Sequence, residues 1–156
     1  MERSVRLDTP VGPVTVTATE RAVTAVRFGA AGPAVGQAGD LPPVLRQAVE
    51  ELREYFAGER REFTLPLAPA GTPFQQQVWA ALREIPYGAT CSYGWIAGRI
   101  GRPKACRAVG MANNRNPIAI VVPCHRVVGA SGALVGYAAG LEVKEKLLAL
   151  ESMNNE

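Results

Sequence analysis

The chain of 156 residues is short of acid through most of its second half. Between Thr72 and Tyr137 stand seven basic residues (Arg83, Arg99, Arg102, Lys104, Arg107, Arg115 and Arg126) and a single acid, Glu84, a net of +6; the rest of the chain is −3. A net charge of +3 therefore conceals segregated charge, the pattern expected of a protein that meets a polyanion such as nucleic acid. No long apolar run exists: stretches such as Ile118 to Val122 reach only five residues, far too short to span a bilayer, so no membrane partner is expected. The N-terminal residues have no apolar h-region, and the three cysteines (Cys91, Cys106 and Cys124) are odd in number and widely spaced. Free thiols in a reducing cytoplasm fit this better than a disulfide framework. Histidine is nearly absent, His125 being the only one, and with no cysteine before Cys91 there is no zinc-finger spacing. At 47% hydrophobic and 20% charged residues the composition is that of a globular chain, long enough for one core or two small ones.

What is present falls into two parts. Alternating apolar residues at Val5 and Leu7, Val14 and Val16, and Val23 and Val26 predict a small antiparallel meander. A Gly/Ala/Pro-rich loop over 29–39 precedes a helix that Asp40 can cap, with Pro42 and Pro43 in its first turn. Its apolar face runs through Leu45, Ala48, Leu52 and Tyr55 to a stop at Gly58, and Phe63, Leu65 and Leu67 predict a further strand. After a linker-like stretch over 66–71 the character changes, placing a first domain at 1–68 and a second at 69–156. Thr72-Pro73-Phe74-Gln75 is a capping-box helix start, with Val78, Trp79, Leu82 and Ile85 as the buried face. Helices are expected over 92–100 and 104–113, joined by Gly101-Arg102-Pro103, and over 141–152. The first two suggest a helix-turn-helix, although a plain αα-hairpin has the same signature.

The second of these helices is built of small residues: Ala105, Cys106, Ala108, Gly110 and Ala112. Close helix packing would use such a surface, and so would close approach to a DNA groove. The cations Arg102, Lys104, Arg107 and Arg115 around it favour the groove. A buried-type run, read as a strand, leads into Pro123-Cys124-His125-Arg126-Val127. A lone cysteine after a strand is more often core than nucleophile, and a lone histidine is usually structural. Their adjacency changes that balance, because a thiol needs a base or positive surroundings to become a thiolate. Glu151, three and four residues after Leu148 and Leu147, lies on the apolar face of the last helix and could orient the base. Its residues alone favour the plainer reading, a fraying terminal carboxylate. Glu142 is expected to pair with Lys146.

Pro123-Cys124-His125-Arg126-Val127 resembles the active-site motif of the O6-alkylguanine-DNA alkyltransferases, the methylated-DNA–protein-cysteine methyltransferases. In the same order follow Thr72-Pro73-Phe74-Gln75-Gln76-Gln77-Val78-Trp79, Ile85-Pro86-Tyr87-Gly88, Ser92-Tyr93, Pro103-Lys104-Ala105-Cys106-Arg107-Ala108-Val109-Gly110, Asn116-Pro117 and Ser131-Gly132, so the similarity is close over 71–151 and loose before it. The resemblance implies an α/β N-terminal domain with a ribonuclease H-like sheet and a mostly α C-terminal domain carrying a helix-turn-helix. It implies transfer of the alkyl group from O6-alkylguanine, and from O4-alkylthymine, in duplex DNA to Cys124, once per molecule and without a cofactor; many members hold a structural zinc in the first domain, but with no cysteine or histidine there no metal is expected in this chain. His125 would act as water-linked base, Glu151 as its orienter, Asn116 as a hinge, and Tyr137 as hydrogen-bond partner of the departing guanine. Tyr93 would crowd the target phosphate and Arg107 would take the place of the flipped base. Ala105, Ala108, Gly110 and Arg115 would lie at the minor groove. Pro123, Val127 and Ala138 would line the pocket, with main-chain groups of Cys124, Val127 and Ala138 reading the base edge. Ala138-Ala139 departs from the hydroxyl or glycine common there, which bears on pocket width. A monomer is expected, with cooperative assembly on DNA left open, and Cys91 and Cys106 are read as structural thiols. Competing classes are an alkyltransferase-like lesion binder, which lacks the cysteine present here, a helix-turn-helix regulator, for which no extra domain exists, and a cysteine hydrolase, which would turn over.

Overall fold

The computed structural model describes residues 2–132, 134 and 136–154. The chain divides into two compact units, Met1–Ala70 and Gly71–Glu156.

In the first unit, β1 (Arg3–Thr9), β2 (Gly12–Ala18) and β3 (Val23–Phe28) form an antiparallel meander in that order. The register sets Val5 opposite Val16, Leu7 opposite Val14 and Val16 opposite Val26, so the period-2 alternation delivers the valines to one face. That face is covered by α1 (Pro43–Phe56) through Leu45, Ala48, Val49, Leu52 and Tyr55, all buried. Two expectations are corrected here. Asp40 does not cap α1: the N-cap is Pro42, without a side-chain bond, and the Asp40 carbonyl instead accepts from the Arg3 guanidinium at 3.1 Å. The 63–67 segment forms no strand beyond a single bridge of Leu67 to Val23, because Pro66 has no N–H to continue a ladder. It is held instead by a buried carboxylate. Glu51 of α1 accepts from the Thr64 N–H (2.9 Å), the Thr64 hydroxyl (2.7 Å) and the Gln47 amide (2.8 Å).

The second unit is helical. Its first helix, α2 (Pro73–Leu82), begins with the expected capping box: the Gln75 N–H donates to Thr72 Oγ1 (3.1 Å) and the Thr72 N–H to Gln75 Oε1 (2.9 Å). A Cβ on Gly71 would stand 2.4 Å from the Trp79 ring, so only glycine lets the chain enter the helix this way. The short β4 (Cys91–Ser92) leads into α3 (Tyr93–Arg99), where Ser92 Oγ caps by accepting from the Trp95 N–H at 3.0 Å. A turn with Gly101 at φ +77° brings in α4 (Cys106–Asn114), which packs on both α2 and α3. It starts two residues later than the sequence predicts because Arg102 to Ala105 closes a separate turn, the Ala105 N–H donating to the Arg102 carbonyl at 2.9 Å. Trp79 Nε1 donates to the Ala112 carbonyl (2.9 Å), pinning the inner side of α4 to α2.

The largest departure lies between α4 and the cysteine. The apolar run Ile118–Val122 is buried as expected, yet it is a series of tight turns rather than a strand. The Val121 N–H bonds to the Ala119 carbonyl (2.8 Å), the Val122 N–H to that of Ile118 (3.0 Å), and the Cys124 N–H to that of Val122 (2.8 Å). Ile120 adopts φ +71°, which costs a β-branched residue on the order of 1–3 kcal/mol and persists only where packing enforces it. Among the described residues the motif joins one ladder, the two-residue parallel pair of β4 with β5 (Val127–Val128). The chain closes with α5 (Leu141–Met153). No helix among the described residues is long and apolar enough to cross a membrane.

Candidate active site

Cys124 opens a 3-10 turn over 124–126 and is only 5% exposed. Asn116 shapes the approach to it. Its Nδ2 donates to the Val122 carbonyl (2.8 Å) and its Oδ1 accepts from the Ile118 N–H (3.0 Å), so one side chain ties the coiled segment into the conformation that presents the thiol. From α4, Asn113 Nδ2 donates to the Cys124 carbonyl at 3.4 Å. The thiol donates to the Tyr137 hydroxyl at 3.6 Å. Burial pushes the Cys124 thiol above its ordinary pKa; hydrogen bonding to Asn116 and Tyr137 and the charge of Lys144 act in the opposite direction. At rest Cys124 is therefore a protonated thiol, with groups around it that favour the thiolate.

His125 and Glu151 are both fully buried and meet at 2.6 Å through His125 Nε2 and Glu151 Oε2. Arg126 holds the same carboxylate from the other side, Nε to Oε1 at 2.8 Å and Nη2 to Oε2 at 3.0 Å, while its Nη1 donates to the Ile85 carbonyl at 2.7 Å. Burial alone would raise the pKa of Glu151. Hydrogen bonds and charge from His125 and Arg126 outweigh that and hold it at about 2. For His125 burial dominates, and with the cations Arg126 and Lys144 nearby its pKa lies below the ordinary value despite Glu151. The imidazole is thus neutral near pH 7, and the guanidinium is the cation that sustains an ionised Glu151. With Nε2–H donating to the carboxylate, Nδ1 is the acceptor; it is buried and has no protein partner among the described residues. Glu151 is accordingly no fraying terminus, but a buried hub joining the motif to α5.

The sequence reading passed over one group. Lys144 of α5 is fully buried, its Nζ donating to the Gly136 carbonyl (3.3 Å) and lying 5.9 Å from the Tyr137 ring centroid. Burial lowers its pKa and charge on Cys124 raises it, so the ammonium and a Cys124 thiolate favour each other electrostatically. The signal was available: Lys144, Leu147 and Glu151 occupy one stripe of α5 at 3.6-residue spacing, so two charged residues stand on the face expected to be apolar. Glu142 and Lys146 form the expected exposed pair at 3.3 Å.

The remaining predicted positions divide between this pocket and α4. Pro123 and Val127 are buried beside Cys124, whereas Ala138 is exposed in the loop after Tyr137. The Val127 N–H donates to the Cys124 carbonyl, which leaves the Val127 carbonyl, not its N–H, as a group able to read a base. Tyr93 is half-buried at the start of α3, within 3.7 Å of where a Cβ on Gly110 would lie; burial and the Cys124 charge both raise its pKa. Arg107, Ala108 and Arg115 are exposed, Ala105 and Gly110 partly so. Glu84, the lone acid of the basic segment, pairs with Arg99 at 2.7 Å, and Arg126 is consumed inside. The exposed cations around α4 are therefore Arg102, Lys104, Arg107 and Arg115, none with a carboxylate partner among the described residues. The segment's excess charge is concentrated at this helix.

A family model described as 6-O-methylguanine DNA methyltransferase, DNA binding domain, matches residues 73–153, and one described as the ribonuclease-like domain of the same methyltransferase matches 6–69. The chain belongs to this family. It is 51% identical over 151 residues to a methylated-DNA–protein-cysteine methyltransferase of Methanosarcina acetivorans, covering 92% of this chain and 94% of that one. Over 147 residues it is 50% identical to the protein of the same name from Mycobacterium leprae, covering 93% and 89%. Two crystal structures from Mycobacterium tuberculosis are similar throughout. The O6-methylguanine methyltransferase matches with TM-score 0.86 and 45% identity, covering 99% of this chain and 94% of that chain. The OGT solved in complex with DNA matches with TM-score 0.85 and 46% identity, covering 97% and 93%. The two-part family fold, a small N-terminal sheet followed by a helical domain, is thus shared along nearly the whole chain.

Proposed function

We propose that this chain repairs alkylated duplex DNA by moving the alkyl group from O6 of guanine, and from O4 of thymine, onto Cys124. The observation that carries the reading is the buried array in which Arg126 and Glu151 fix the tautomer of His125 beside a buried thiol. The turn of α3 into α4 serves as a helix-turn-helix laid along the minor groove, its small residues Ala105, Ala108 and Gly110 allowing close approach and Arg115 reaching the backbone. The lesion cannot reach a thiol that is 5% exposed while stacked in the duplex, so the nucleotide is rotated out, Tyr93 crowding its phosphate and Arg107 filling the gap. Pro123, Val127 and Ala138 border the extruded base.

The thiol proton passes through one water to His125 Nδ1, and the resulting imidazolium is balanced by Glu151. The Cys124 sulfur attacks the alkyl carbon in line. A carbon–sulfur bond forms as the carbon–oxygen bond breaks, and the electron pair left on the base is stabilised by the Tyr137 hydroxyl with Lys144 behind it. The product thioether has no leaving path, so each molecule acts once. The first unit acts as scaffold, its sheet and α1 forming a reduced ribonuclease H-like arrangement, and the protein works as a cytoplasmic monomer. The other reading, an alkyltransferase-like binder that flags lesions, is disfavoured by Cys124 itself.

Intact-mass analysis after mixing with an oligonucleotide containing O6-methylguanine tests this. The expected result is one added methylene per molecule, mapped to Cys124, with repair never exceeding the protein present. Transfer by Cys124→Ser, or multiple turnover, overturns it. Arg107→Ala is expected to slow repair of duplex DNA far more than reaction with free O6-benzylguanine, and equal losses would remove the flipping role.

A further inference from the structure

The exposed side of α4 carries one bulky apolar side chain where every small-residue argument calls for none. Met111 is 56% exposed, one of four large hydrophobic residues so placed among the described residues. It lies one helical turn beyond Arg107 and one before Arg115, on the same face, with Ala108, Gly110 and Ala112 around it. With Ala108, Ala112, Arg115, Phe74 and Gln75 it lines a shallow cleft of about 220 Å³ between the start of α2 and α4. Solvent exposure of a thioether on a strip of alanine and glycine leaves apolar area in water that a partner could cover. The arginines on either side make that partner anionic, which favours nucleic acid over the apolar face of another protein.

From this the geometry points to Met111 as a second groove-contacting side chain and a determinant of sequence context, resting on the proposed placement of α4 in the minor groove. Four residues of helix advance about 6 Å, under two base steps at about 3.4 Å each. Met111 therefore meets the floor of the groove at the first or second base pair beside the position of Arg107. Apolar side chains, methionine among them, are suited to this groove. The floor differs in one respect between base pairs: G·C projects the guanine 2-amino group, a donor that A·T lacks. A methionine over that amino group strips its water and offers no acceptor of comparable strength, whereas over A·T it covers only flat edges. The chain should then repair a lesion flanked at that position by A·T faster than one flanked by G·C, by about fivefold for a partly desolvated donor.

The test is single-turnover repair of duplexes carrying O6-methylguanine, with A·T, G·C or inosine·C at each of the first two pairs on either side. Inosine lacks only the 2-amino group. At one of these positions, A·T and inosine·C are expected to be repaired alike and both about fivefold faster than G·C. Met111→Ala is expected to bring the ratio to about one and Met111→Leu to keep it. Each ratio is taken within one protein, so partial unfolding of a variant cancels. Inosine·C behaving like G·C, no preference at any position, or a preference surviving in Met111→Ala would each overturn the role of Met111. If no duplex yields thioether, the proposed function fails, and that outcome is separate from the others.

Discussion

Replacing Glu151 by glutamine removes one charge from the buried cluster of His125, Arg126 and Glu151, and its effects can be worked out atom by atom. The carboxylate accepts from His125 Nε2 at 2.6 Å and from Arg126 at 2.8 and 3.0 Å. An amide has one acceptor end. Both oxygens accept from Arg126, so either placement of the NH2 opposes one guanidinium N–H; leaving the oxygen at the Oε1 position keeps the bonds from Arg126 Nε and the Gly88 N–H and turns the NH2 toward His125. The imidazole must then accept at Nε2 and carry its proton on Nδ1, the nitrogen required as acceptor. General-base assistance is worth about 10²–10⁴, so single-turnover repair by Glu151→Gln should fall at least about a hundredfold. Arg126 is simultaneously left as a buried cation without its counter-charge, at a cost of about 3–5 kcal/mol, or a drop in Tm of about 6–20 °C in a chain of this size. A second variant tests both effects together. Adding Arg126→Met removes the stranded cation and frees the amide oxygen to turn back to His125 Nε2, so much of the lost Tm and part of the rate should return. Repair by Glu151→Gln within threefold of the parent, measured by loss of O6-methylguanine in one turnover, would refute the tautomer argument; an unchanged Tm would refute the account of the buried pair.

Three further outcomes are expected. Three exposed cations at α4 (Arg102, Lys104 and Arg115), with Arg107 placed in the base stack, should give duplex-DNA binding a slope of about −2.7 in log K against log salt, and Lys104→Ala should reduce its magnitude by about one, as read by fluorescence anisotropy. Stability should fall with acid in two stages, because His125 and Glu151 both bind protons less readily when folded than unfolded. The first loss begins below about pH 6.5 and the second runs from about pH 4.5 toward the folded value of about 2; urea midpoints against pH check this, and His125→Asn should remove the first stage. Lys144→Met withdraws the cation that favours the Cys124 thiolate, so the rate of alkyl transfer at neutral pH should fall by about tenfold and recover in part as pH rises; an unshifted pH–rate profile would count against the contact.

Much of this molecule is legible along the chain because its signals are local. Alternating valines make a meander whichever neighbours follow; a Thr72-to-Gln75 box starts a helix by satisfying its own N–H groups; a cysteine beside a histidine draws attention to reactive sulfur. Charge segregation also holds in sharper form, since pairing of Arg99 with Glu84 and burial of Arg126 leave four of the five remaining cations at α4. What sequence could not decide was settled by partners distant in the chain. The run Ile118–Val122 has strand composition, but Asn116 bonds to both of its ends and Ile120 is forced to positive φ, so it coils. Glu151 reads as a loose terminal acid until Arg126, 25 residues earlier, closes on it. Lys144 shares a stripe of α5 with Leu147 and Glu151 along the chain, but only the fold sets it near Tyr137 and Cys124. Periodicity assigns a residue to a face of its element, whereas the charge state and hydrogen bonds of a buried side chain depend on which other element covers that face. The candidate nucleophile stands out by its neighbours in sequence; the setting that controls its proton exists only in the folded protein.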